Sequence, residues 1–152
     1  MRTQLSSSCA LCCLAMLLAA APPVLGASKH FRASYEHFNE YATKAADLYF
    51  KASKAGEKNI LSHLTAVSAI YAEKAYVILN LADVLEHMAA KRDRAYVTAR
   101  LDDVRKVILA GIPQDIKLLA DLVENQENEQ VRSLGTQVVN EMRVFERNTE
   151  NQ

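Results

Sequence analysis

Residues 60–88 read ILSHLTAVSAIYAEKAYVILNLADVLEHM. Apolar side chains recur at Ile60, Leu64, Val67, Tyr71, Ile78, Leu81, Leu85 and Met88, with Lys74 standing where the pattern asks for one more. Steps of three and four place such residues on one side of an α-helix. A second row flanks the first, with Leu61, Leu79 and Ala82 on one side and Ile70, Val77 and Val84 on the other. The combined apolar arc covers more than half the circumference, wider than one covered face requires. Glu73, Lys74, Asp83 and Glu86 argue against a membrane span. This helix, from about Ile60 to Ala90, is therefore either the most buried of its fold or meets another subunit.

Its neighbours follow the same period. Phe31, Tyr35, Phe38, Ala42, Ala45, Tyr49 and Ala52 form a heptad seam. They predict a helix from about Ser28 to Ala55, with Gly56 as its stop and Asn59 capping the next. The charged run Lys91-Arg92-Asp93-Arg94 interrupts the pattern without Gly or Pro, and Asp93 can cap a third helix. That helix carries Val97, Leu101, Val104 and Ile108, then Ile116, Leu119 and Val123. A straight course would set Asp115 in the middle of its apolar face. A break at Gly111-Pro113 removes the conflict, so a kink or short interruption is expected there. Residues 124–130, ENQENEQ, form a hinge with Asn125 or Asn128 as cap. Val131, Leu134, Val138, Met142 and Phe145 mark the last helix, and a frayed polar end is expected over 150–152. Short connections make consecutive helices antiparallel neighbours. The expected fold is all-α, an up-down-up-down four-helix bundle, with five helices if the third is broken.

The 152-residue chain holds seven Gly and Pro residues together and no Trp, a composition that favours helix over sheet. Its formal net charge is zero, and the basic residues between Lys91 and Lys106 are interrupted by Asp93, Asp102 and Asp103. Neither feature points to a nucleic-acid partner. Residues 1–27 show the order of a secretory signal peptide: Arg2, an uncharged run over residues 9–21, then Pro22-Pro23 and small residues. Cleavage after Gly26 or Ala27 is expected, leaving a single bundle domain over 28–149 in a secreted or periplasmic setting. The apolar run is too short to span a bilayer. Cys9, Cys12 and Cys13 all lie in this segment, so the remainder is free of disulfides and thiolate sites.

Chemistry-bearing patterns are sparse. His30 and His37 stand two helical turns apart, where the three- or four-residue spacing of a chelating pair is not met. His63 and His87 fall opposite the apolar arc. Met88 and Met142 are the inward sulfurs available to a haem iron, but no histidine is clearly inward to join them. Should cleavage follow Ala27, Ser28-Lys29-His30 resembles the amino-terminal copper and nickel motif of some secreted proteins. That resemblance implies Cu(II) or Ni(II) held by the amine, two amides and the His30 imidazole. Glu-x-x-His pairs, HExxH, GxSxG, P-loop and GxGxxG signatures are absent, so no catalysis is expected. The leading expectation is a binding protein, engaging a protein partner or a second copy through Ile70, Val77, Val84 and Met88. A Cys-free secreted bundle also resembles the exchangeable apolipoproteins in architecture, which implies reversible binding to a lipid surface.

Overall fold

The computed structural model describes residues 27–151, and among them are four α-helices and no strand. Helix α1 spans Ala27–Lys51, α2 Ala55–His87, α3 Lys91–Glu124 and α4 Glu129–Glu150. Residues 1–26 of the expected signal peptide lie outside the described residues, and the cut expected after Ala27 falls in the first turn of α1. The linkers are three or four residues long, so successive helices reverse direction. Helix α1 packs most extensively on α2, and α4 closes the bundle against α1 and α3. Small buried residues, Ser34, Ala45, Ser68, Ala72 and Ala75, let α1 and α2 approach closely. The up-down-up-down four-helix bundle is what the heptad seams and short connections require.

Three helices supply an aromatic centre. Phe145 of α4 stands edge-on to Phe31 at 5.9 Å, to Phe38 at 6.0 Å and to Tyr71 at 6.0 Å between ring centroids. Edge-to-face contacts of this kind each contribute about 0.5–1.5 kcal/mol beyond the burial of area. Leu64, Ile78, Ile112, Val138 and Met142 complete the buried layer, so all four helices share one core.

Several features of the helices differ from the sequence reading, beginning with α1, which ends at Lys51 rather than near Ala55. Helix α2 begins at Ala55, with Gly56 inside its first turn and no cap by Asn59. Burial of Ile60 and Leu61 starts the helix one turn early, and Glu57 places an acid near its positive end. The α2–α3 junction falls at residues 88–90, and Lys91-Arg92-Asp93-Arg94 is the first turn of α3, behind Ala90 as cap. There is no break at Gly111-Pro113, and no fifth helix among the described residues: α3 is continuous through both. Ile108 and Ile112 before the proline, and Leu119 and Val123 after it, are buried on one stripe. That stripe holds the helix straight enough to absorb the lost backbone hydrogen bond of Pro113. The C-terminal turn is tied down as far as Glu150. Arg105 donates from Nε and one Nη to the Thr149 carbonyl, at 2.9 and 2.6 Å, and Thr149 is buried. At the hinge, Asn128 is the cap, accepting from the amides of Gln130 and Val131.

Gly135 marks the closest approach of α4 to α3. A Cβ there would stand 2.9 Å from Val123 Cγ1 and closer still to Cγ2. Gly111 has open space around it.

Candidate functional site

The histidines do not converge. His30 is exposed in the first turn of α1, together with Lys29. His63 and His87 are exposed, each donating from Nδ1 to the carbonyl four residues earlier. Among the described residues, no group of three His, Cys, Asp or Glu side chains is placed to hold a metal ion.

His37 has a partner that its sequence neighbourhood does not disclose. Its Nδ1 lies 3.0 Å from Glu141 Oε2 on α4, and the Ser34 hydroxyl donates to Glu141 Oε1 at 2.8 Å. Ser, His and a carboxylate are thus together, but in an order unsuited to acyl transfer. The carboxylate sits between the other two, whereas a nucleophilic triad needs the imidazole in that place. Ser34 is also buried, out of reach of a substrate. The cluster works as a polar clamp between α1 and α4. Tyr41, stacked beside His37, has its phenol pKa raised by burial and by the nearby Glu141 carboxylate.

The two polar residues that interrupt the apolar seams meet each other. Tyr71 donates its hydroxyl proton to Asp115 Oδ2 at 2.8 Å, and Lys74 Nζ lies 3.7 Å from the same oxygen. Lys74 also covers the Tyr71 ring at 4.1 Å from its centroid. Burial, then the hydrogen bond to Asp115, pushes the Tyr71 phenol far above the ordinary tyrosine range. This knot resolves the conflict that a straight α3 would otherwise pose at Asp115. Tyr71 thereby touches α1 and α4 through its ring and α3 through its hydroxyl.

The broad arc of α2 divides into two flanks with different fates. The flank bearing Leu61, Leu79 and Ala82 is buried against the bundle. The other stays open: Ile70, Val77 and Val84 are 51%, 43% and 45% exposed, while Met88 is half-buried at the α2 C-cap. Contacts of Arg32 with Asp83 and Tyr35 with Tyr76 set α1 on the far side of α2. The Tyr71–Asp115 bond sets α3 on the near side. Helical spacing then aims Ile70, Val77 and Val84 outward, beside the α2–α3 junction. Val107 and Leu118 of α3, 77% and 54% exposed, flank the same junction because α4 occupies the opposite side of α3. Sequence reading missed these two. Leu118 sits one residue before the buried Leu119, about 100° round the helix, and periodicity alone gives no sign of which flank a neighbour covers.

The remaining cavities are shallow grooves. One of about 550 Å³ between α1 and α4 carries both lysines and acids, including Lys44, Asp47, Lys51 and Glu129. No helix among the described residues is long and apolar enough to cross a membrane. Comparison with protein-family models, curated proteins and solved structures finds no match to the chain.

Proposed function

We propose that this chain is a non-catalytic binding protein of a secreted or periplasmic setting, and that the outer face of α2 is its binding surface. One observation carries the reading: Ile70, Val77 and Val84 line up on an otherwise well-packed helix and stay in water. With Val107 and Leu118 beside them, they expose apolar surface on the order of 500 Å², at the upper end of what monomers leave uncovered. The interlocked Phe31, Phe38, Tyr71 and Phe145 rings support a bundle that stays closed while it binds, rather than one that opens onto lipid.

The test compares the wild-type chain with the Ile70→Ser/Val77→Ser/Val84→Ser variant, each expressed in the native host and sized in unfractionated extract. The wild type is expected to run in an assembly larger than one processed chain, and the variant as a folded monomer with unchanged helix content. Monomeric elution of both overturns the reading. Amino-terminal sequencing of the same material tests the secretory part, expected to begin at Ala27 or Ser28. A start at Met1 would refute it.

A further inference from the structure

The outer face of α2 has a register. Ala66, Ile70, Glu73, Val77, Asn80 and Val84 follow one another at steps of four, three, four, three and four, and all six are exposed. Within this row, Ala66, Glu73 and Asn80, and likewise Ile70, Val77 and Val84, repeat every seven residues, a spacing that a second helix in a left-handed supercoil can meet. Reversed about Val77, Ile70 falls opposite Val84 and Val77 opposite Val77, and Glu73 comes within one residue of Asn80, an offset of about 1.5 Å.

Taking α2 as the binding face, we propose that its occupant is a second copy of this chain. The two α2 helices run antiparallel across a two-fold axis at Val77. Charge selects the direction. Parallel helices would set Glu73 beside Glu73, a like-charge pair across an interface. The antiparallel order sets the Asn80 amide of each copy beside the Glu73 carboxylate of the other, where it donates a charge-assisted hydrogen bond. The available area also suffices. A stable dimer buries about 800 Å² per partner, somewhat over half of it apolar. Ile70, Val77, Val84, Val107 and Leu118 together supply that apolar share.

The chain's cysteines all lie within residues 1–27, so introduced thiols report the interface directly. The full chain, with Cys9, Cys12 and Cys13 changed to Ser, is made in four versions carrying Val77→Cys, Ile70→Cys, Val84→Cys or Gln137→Cys. Gln137 is an exposed position of α4 away from this face. Val77→Cys is expected to cross-link to itself under mild oxidation at least about tenfold faster than Gln137→Cys, since a preformed dimer raises the effective thiol concentration. Ile70→Cys mixed with Val84→Cys is expected to give the mixed dimer, and Ile70→Cys alone is not. In the antiparallel order its two copies stand about 20 Å apart along the helices, twice the roughly 10 Å rise that separates residue 70 from residue 77 on each, well beyond thiol reach. Self-linking of Ile70→Cys at the Val77→Cys rate, or equal rates at Gln137→Cys, overturns the proposal. So does sedimentation of the purified wild type as a monomer at every concentration. If that monomer still enters a larger assembly in host extract, the second-copy proposal fails while the binding reading stands. If it does not, both fail.

Discussion

Removing the Tyr71 hydroxyl tests whether α3 is held straight by the polar knot. Tyr71→Phe keeps the ring and its packing against Phe38 and Phe145, and deletes only the 2.8 Å bond to Asp115. Hydrogen bonds to charged acceptors contribute about 1.5–3 kcal/mol when well shielded. The Asp115 side chain is 41% exposed and keeps Lys74 at 3.7 Å, so the loss should fall to about 1–1.5 kcal/mol. For a bundle of this size that corresponds to a fall in Tm of about 4–6 °C. Tyr71→Phe, Asp115→Ala and the double variant form a cycle, read by urea denaturation with a common m-value. A coupling of about 1 kcal/mol is expected, because the second substitution removes a bond already broken. Single effects that add to within about 0.3 kcal/mol would refute the knot and leave Asp115 as an ordinary solvated charge.

Other consequences can be measured separately. In the unfolded chain Tyr71 ionises near the ordinary tyrosine value of 10.0, whereas the folded phenol holds its proton to higher pH. The native state therefore binds more protons above pH 10, so stability is full below that pH and declines as pH rises through it. Tyr71→Phe should flatten part of this alkaline loss in thermal melts at pH 9–11. Gly111→Ala should stabilise the bundle by about 0.5–1 kcal/mol, since the new methyl meets open space and helix propensity improves. Gly135→Ala should destabilise it by about 1–2 kcal/mol against the Val123 methyls, and Val123→Ala in the same chain should recover part of that loss. Arg105→Ala should cost about 1–2 kcal/mol and raise amide exchange over residues 146–151, because it frees the Thr149 carbonyl and the negative end of α4. Unchanged exchange there would show that the C-terminal turn holds without Arg105.

The amino-acid order alone determined the helical class, the antiparallel succession and most core positions. Local periodicity governs those features, as with Phe31, Phe38 and Ala45 on α1 or Val131, Leu134 and Val138 on α4, all buried where the seam places them. It also narrowed the hinge cap to Asn125 or Asn128, a matter of side chain and backbone two or three residues apart, and Asn128 takes that place. Residue pairs distant in the chain were decided by the tertiary structure. Lys74 and Asp115 each look like a flaw in a seam, and Asp115 beside Gly111-Pro113 suggests a break. Only the antiparallel packing of α2 and α3 reveals that each flaw answers the other, making the break unnecessary. Ser34 and His37 on α1 likewise find Glu141 on α4, more than a hundred residues away in the chain. The same holds for the surface proposed to bind. The sequence makes α2 apolar on two flanks, since hydrophobicity is a property of each residue. Which flank stays in water depends on where α1 and α4 come to rest, and they leave Ile70, Val77 and Val84 uncovered.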